Sequence, residues 1–549
     1  MSKIKIFALG GLNELGKNMY VVEVDKDIFV FDAGLKYADD SMLGVDYVIP
    51  NYDYLKQNVK RIKGIFISHG HEKQMGALCD ILYDLKDVKV YGTRFTLEVL
   101  HQELVADNID TRSLVEVKPF VNIKFGNNSI FPVSLTHDVP DTVGYVLNTP
   151  DGAIVYTGNF VFDSSMLGPY KTDIGTLAYV GKKGVLCLMS ESIYADQPGF
   201  TAPSHRIGSV LRETLVLNEG KRVFFNVLKT QLYRVQELLT SIEKMHRDVV
   251  IMGKGLENLI LNSIEHGYIK FDKNRIKTLK DVNDHNVVVI ISDEREKPFS
   301  NLNRIVKGYD KFVTLNSDDV IIFATPISDS LEKASTKLFD EIAKLGCTLK
   351  VISNRNYKSF HASREDLMLM LDLMQPKYYM PVCGEYRHQV ANKEIANAIG
   401  MDDNHVILCT NGKVANFEKG VLKDTNETIP VGEVLIDGKT VGDIGELVLK
   451  DRELLSDNGI VIVTATLDKQ TKEVLAGPEI LTRGFIYVKE STDIIQEAVN
   501  ISLRVINDNV NHNYIDYTKV RNDIREALGS YLYQETECKP MILLVIQEV

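Results

Sequence analysis

Residues 63–74 read KGIFISHGHEKQ, an apolar run that stops on two histidines, His69 and His71, one residue apart. A strand makes a rigid stem, and two imidazoles so spaced at its end can be aimed at a single ion. Alone, a His-x-His pair is a weak signal and is more often structural. Here it is reinforced by repetition. IFVF leads into Asp32, NSIFPVSLT into His137 and AIVYTG into Asn159, so chemistry-bearing residues recur where strands end. Loops held at strand ends by a sheet are where sites are commonly built.

The first ~170 residues alternate short strands and helices. GALCDILYDL carries apolar positions at helical spacing, and Gly126-Asn127 and Asp151-Gly152 mark hairpins. From ~180 to ~365 the texture becomes α/β: GVLCLMS, RVFFNVL, DVVIMG, NVVVIIS, DVIIFAT and TLKVIS imply a largely parallel sheet covered on both faces. Short strands return after MLMLDLMQPKYYMPVCGEYRH, at roughly 368 to 388. The last ~100 residues hold strands at GIVIVTATL, GFIYV and MILLVIQEV around an amphipathic helix near DIIQEAVNISLRVINDNV. With 549 residues, roughly two to four domains are expected.

Composition excludes the membrane-spanning and disulfide-framed classes. No apolar run approaches the ~20 residues of a transmembrane helix, and the N-terminal MSKIKIFALGG starts as a strand without a leader pattern. Six cysteines without a CxxC pair imply a reducing cytoplasm. The net charge of −12 argues against passive polyanion binding but leaves room for a local groove.

The ordered series LGGLNELGKNMYVVE, FDAG, IFISHGHEKQMGAL, LTHDVPDTVGYV and YTGNF resembles the motifs of the metallo-β-lactamase fold. LMSESIYADQPGF around Glu191, YKSFHAS around His361 and MPVCGEYRH around Cys383 resemble those of the β-CASP nucleases, and GPEILTRGFIYVKES resembles a ribonuclease J tail domain. The chain is identified as a member of the ribonuclease J family, most similar to its degenerate paralogues in Gram-positive bacteria. The resemblance implies an αββα metallo-β-lactamase sandwich (1–195 and 366–450), an inserted β-CASP α/β domain (196–365) and a small α+β C-terminal dimerisation domain (451–549). It further implies RNA hydrolysis, 5′-to-3′ exonucleolytic and endonucleolytic, with two metal ions of zinc or manganese and an RNA channel between the first two domains.

Against that pattern the site is degenerate. The family's HxHxDH reads His69, Gly70, His71, Glu72, Lys73, Gln74. Lys73 replaces a second-metal aspartate, Gln74 a second-metal histidine, Asn159 the bridging aspartate and Cys383 the last histidine. His69, His71 and His137 keep the first site apart from its bridging carboxylate, and three histidines are a known zinc donor set. The second site would have an ammonium, two carboxamides and one thiol. Each position also has a plainer reading: the three histidines as packing relics, Lys73 as a solvated surface lysine, Cys383 as a small buried residue, Asp32 as a loop brace. By resemblance Glu191, His361 and Ser363 support the scissile phosphate; the Lys73 ammonium, standing about where a cation was, is a further candidate phosphate contact. Phe360 and the segment Pro326-Ile327-Ser328-Asp329 depart from the family's glycines and asparagine. Arg387 and His388 are RNA contacts or ordinary ion-pair partners. The other histidines, His205 among them, sit in no motif.

Losing one ion of a two-metal clamp removes much of the transition-state stabilisation. The expectation is therefore a weak or inactive ribonuclease J-type protein in mRNA decay and rRNA maturation. It holds one zinc (or manganese) per chain or none, binds RNA, and assembles with an active paralogue or with itself through the tail domain. The alternatives are a slow one-metal ribonuclease and a structural dimerisation subunit without RNA affinity.

Overall fold

The computed structural model describes all residues except 1, 40–41, 293–298, 328–330, 354–355, 439, 442–445, 487–490 and 512–513, and the side chains of 440, 441 and 446. Ser328 and Asp329 thus lie outside the described residues. The chain divides into two compact units, Met1–Asp39 with Asp46–Val441, and Asp40–Val45 with Gly442–Val549.

In the larger unit two sheets stack face to face. One has eight strands, in the order 421–424, 415–418, 3–10, 19–24, 27–31, 62–66, 90–92 and 114–116. The other has six: 378–382, 185–191, 152–156, 143–149, 128–134 and 123–125. Alternation sends Tyr20, Phe29, Phe31, Phe66, Tyr145 and Tyr156 between the sheets, where all are fully buried. Each such ring removes 150–250 Å² from water, to the order of magnitude. Helices Leu78–Asp84 and Arg94–Ala106 cover the first sheet with Leu82, Phe95 and Val99. Helices Ile174–Lys183, Arg364–Met374 and Tyr386–Ala398 cover the second with Leu177, Leu367, Met370 and Ile395. The layering is the αββα sandwich. Both hairpins form where the turn residues implied them, with Gly126 and Gly152 at positive φ.

The insert carries its own six-stranded sheet, 276–277, 248–252, 287–291, 223–226, 320–323 and 348–351, parallel throughout. Strand Val287–Ile291 is buried at all five positions, as a sheet covered on both faces requires. One strand read with this group belongs elsewhere. GVLCLMS forms Val185–Glu191 and pairs with 152–156 and 378–382 in the sandwich. Periodicity alone cannot assign it, because a strand buried between two parallel neighbours has the same composition in either sheet. The chain leaves the sandwich sheet after Glu191 and rejoins it at Tyr378, on adjacent parallel strands whose register sets Cys187 beside Tyr378 and Glu191 beside Val382.

In the smaller unit strand Ile460–Leu467 lies between Val474–Arg483, antiparallel, and Met541–Glu548, parallel. Helix Thr492–Asp508 buries Ala498, Ser502 and Ile506, and helix Tyr517–Thr536 buries Val520, Ile524, Leu528 and Leu532, a spacing of four that keeps each set on one face of its helix. Of the strand implied at GFIYV, 487–488 lie outside the described residues; the preceding strand ends at Arg483, and Gly484 has positive φ. Among the described residues no helix is long and apolar enough to cross a membrane.

Candidate metal centre

Strand ends of both sheets meet along one rim. His69 and His71 follow Ile62–Phe66, His137 follows Asn128–Ser134, and Asn159 follows Gly152–Tyr156. Glu191 ends Val185–Glu191, and Cys383 follows Tyr378–Val382. From the insert side, Phe360 and His361 precede Ser363, whose hydroxyl caps helix Arg364–Met374 in a reciprocal box with Asp366.

The three histidine rings converge edge to face, with centroids 4.6–5.1 Å apart. His69 Nε2 is 3.2 Å and His137 Nε2 3.3 Å from His71 Nδ1. Nitrogens bound to one tetrahedral ion at ~2.0–2.1 Å lie roughly 3.3 Å apart, so both separations from His71 match a zinc-sized ion, and all three donor atoms lie within 4.8 Å of one another. Among the described residues they are the cluster of three or more histidine, cysteine or carboxylate groups able to hold a metal. Burial pushes all three imidazoles below their ordinary pKa, His71 to about 3, which keeps them neutral and able to donate lone pairs.

Behind the cluster, Asp32 sits at φ +58° and accepts from Ser68 N at 2.7 Å, Ser68 Oγ at 2.9 Å and Tyr156 OH at 2.6 Å. Burial raises its carboxyl to about 7 against those hydrogen bonds. Ser68 Oγ is also 3.0 Å from His69 Nδ1, so the brace reaches through the serine and leaves His69 Nε2 toward the other rings.

Where the second site would be, the polar groups satisfy one another. Gln74 Nε2 donates to Asn159 Oδ1 at 2.9 Å. Asn159 Nδ2 lies 3.1 Å from Glu191 Oε2 and 2.8 Å from His361 Nδ1, and His361 Nδ1 is 2.8 Å from the same carboxylate oxygen. Glu191 Oε1 accepts from Phe160 N at 2.7 Å and Ala362 N at 3.2 Å. Gln74, Asn159 and Glu191 are all buried. Carboxamides have donors as well as acceptors, so the chain closes without a cation.

Cys383 stands apart from the histidine cluster. Its buried thiol donates to Asn18 Oδ1 at 3.2 Å and lies 3.4 Å from Tyr20 OH, and burial pushes its pKa up, away from the thiolate a metal needs. That corrects its candidacy as a ligand. Lys73 is not a solvated surface lysine either. It is half-buried, its carbonyl accepts from Asn18 Nδ2 at 3.0 Å, and burial lowers the pKa of its ammonium. No ion pair to it occurs among the described residues. Lys73 lines a cavity of about 400 Å³ with His71, His137, Asn159, His361 and Arg387.

Phe360, where the family has glycine, is buried against His205 (centroids 4.4 Å) and Tyr233 (5.5 Å), with the Arg234 guanidinium 5.6 Å over its ring. His205 is itself fully buried, 3.1 Å from Asp163 Oδ2, and burial lowers its pKa to about 4. It is a neighbour of the site that no motif announces. Asp138 is another. Its Oδ1 lies 3.3 Å from both His71 Nε2 and His137 Nε2, and its Oδ2 accepts from Gln231 of the insert at 2.9 Å. Burial opposes ionisation, but the His137 and His71 rings and the Gln231 hydrogen bond outweigh it, and the carboxyl lies below its usual pKa. The available signal was its adjacency to His137. Arg387 pairs with Glu385 at 2.6 Å, as its plainer reading implies.

Family models match in chain order: a beta-lactamase superfamily domain at residues 29–173, a ribonuclease J beta-CASP domain at 220–341 and a ribonuclease J C-terminal domain at 447–549. Ribonuclease J2 of Bacillus subtilis (strain 168) is 36% identical over 550 residues, covering 100% of this chain and 99% of that one. Ribonuclease J 2 of Staphylococcus aureus (strain MRSA252) is 33% identical, covering 100% and 98%. A crystal structure of a protein of unknown function from Enterococcus faecalis V583 shares the fold at a TM-score of 0.55 and 16% identity, over 76% of this chain and 100% of that one. Matched domain by domain and along its whole length by relatives of that name, the chain belongs to the ribonuclease J family.

Proposed function

We propose that the chain is an RNA-binding ribonuclease J-type subunit with little or no cleaving power of its own, acting beside a catalytically complete paralogue in mRNA decay and rRNA maturation. One observation carries this reading: Gln74, Asn159, Glu191 and His361 spend their polar atoms on one another where a second ion would be bound. A two-metal phosphodiesterase clamps the attacking and the leaving oxygen with separate ions. Loss of one preorganised stabilising group alone costs ~2.7–4 kcal/mol of barrier. Zinc, at most one per chain, would be held by His69, His71 and His137, and when bound would supply Lewis-acid polarisation of a phosphate oxygen. Lys73 would hold an RNA phosphate at the cavity wall, with His361 and Ser363 beside it, and Asn159 would orient His361.

The test is cleavage of 5′-monophosphorylated RNA by the chain alone, by an active paralogue alone, and by the two together, with metal content quantified. Slow or absent cleavage alone and an altered rate in the mixture are expected, with RNA affinity falling at higher salt. Full activity alone, or no complex on co-expression, overturns the reading. The intact three-histidine cluster favours a second reading, a slow one-metal ribonuclease. It requires residual cleavage that disappears in His71→Ala.

A further inference from the structure

A divalent ion among three neutral imidazoles is a buried, uncompensated charge. Such a charge is costly unless a counter-charge stands nearby. The sequence removes the obvious one by placing Asn159 where the family has aspartate. Two carboxylates near the rings are already committed elsewhere. Glu191 accepts from Phe160 N, Ala362 N, Asn159 and His361, and Asp32 accepts three hydrogen bonds from Ser68 and Tyr156 behind the cluster.

Asp138 differs. It is buried, the Gln231 amide holds its Oδ2, and its Oδ1 faces His71 Nε2 and His137 Nε2 at 3.3 Å each. Neither Asp138 Oδ1 nor His71 Nε2 makes a hydrogen bond. The residue is therefore held from one side with its second oxygen turned to the rings. Tyr233 N, from the same helix start as Gln231, binds the Asp138 carbonyl at 3.0 Å and fixes the backbone too.

We propose that Asp138 has taken over the charge-balancing task of the lost bridging aspartate, acting on the ion as a positioning residue through His71, whose Nδ1 faces the other rings while its Nε2 faces Asp138. The idea rests on the one-metal reading above. Outer carboxylates of this kind orient ligating histidines and raise their basicity, and removing one typically costs roughly 10- to 100-fold in metal affinity. The insert participates through Gln231, so the metal site of the sandwich depends on a residue beyond its own two sheets.

The experiment titrates zinc and cobalt(II) into the full chain and into His71→Ala, Asp138→Asn and Asp138→Asn/Asn159→Asp, following heat, bound metal and the cobalt absorption spectrum. Asp138→Asn keeps the side-chain shape, and its fold is checked by thermal melting; Asp138→Ser serves the same arm if that variant does not fold. One ion is expected in the parent and none in His71→Ala. Asp138→Asn should bind about 10- to 100-fold more weakly with a shifted cobalt spectrum, and the double variant should recover most of the affinity. If the parent binds one ion, His71→Ala none, and Asp138→Asn matches the parent in affinity and spectrum, the Asp138 proposal falls while the one-metal reading stands. A weakened Asp138→Asn without recovery in the double variant overturns charge compensation. A parent that binds no ion, or a His71→Ala that binds like the parent, removes the one-metal reading and the proposal together.

Discussion

Gln74 shows how a side chain can close a site by satisfying it. Its amide gives Asn159 Oδ1 the donor that a buried carbonyl oxygen needs. In Gln74→Ala that oxygen would be left buried without a partner, a cost of about 1–3 kcal/mol, which urea unfolding of the variant should report. Acid should weaken the fold for a related reason. His71 and His205 titrate near 3 and 4 in the folded chain against an ordinary 6.5. Between those values the unfolded chain binds more protons, so stability is lost as pH falls below about 6.5. Asp32 runs the other way: raised to about 7 from 3.8, it contributes most at low pH and loses that contribution as pH rises. Thermal midpoints from pH 7 to 4.5 are expected to fall in the metal-free protein, less steeply in His205→Gln. His69, His71 and His137 were legible in the sequence because each follows its strand at short range. Asp138 and His205 were not. What faces them, Gln231 and Phe360, is brought there by the insert, and no spacing rule spans such separations.

Among the elements, helix Arg364–Met374 ties recognition to packing. Ser363 caps it, and the Ser363 hydroxyl also meets Thr201 Oγ1 at 2.7 Å and Lys358 Nζ at 3.0 Å. Ser363→Ala should lower the unfolding free energy by about 0.5–2 kcal/mol, measured by denaturant titration, and weaken RNA binding in the same variant. Hairpins, amphipathic helices and the parallel insert sheet were readable because each leaves a local period or turn signal. GVLCLMS was misplaced because it is a short apolar run without such a signal. Its partner strands decide its place.

At the scale of the molecule, the two units have separate apolar cores, one around the stacked sheets and one under helices Thr492–Asp508 and Tyr517–Thr536. The histidine cluster belongs to the larger unit. Zinc at about 100 times its dissociation constant should therefore add about 2.7 kcal/mol to the stability of that unit. Scanning calorimetry should show its transition moving up while that of the C-terminal unit stays in place. Equal movement of both transitions would show that they unfold as one.

Tyr194, just past the end of strand Val185–Glu191, bridges Ser363 at the head of helix Arg364–Met374, and the insert departs and rejoins across that pair. Adjacent strands lie only about 4.8 Å apart. A few residues would therefore join Tyr194 to Ser363 if everything between were excised, and the sandwich, keeping helix Arg364–Met374 and strand Tyr378–Val382, could be re-spliced as a minimal scaffold. What would not survive the surgery is the centre: Gln231, Phe360 and His361 would leave with the excised piece. The insert is detachable as architecture and indispensable as chemistry.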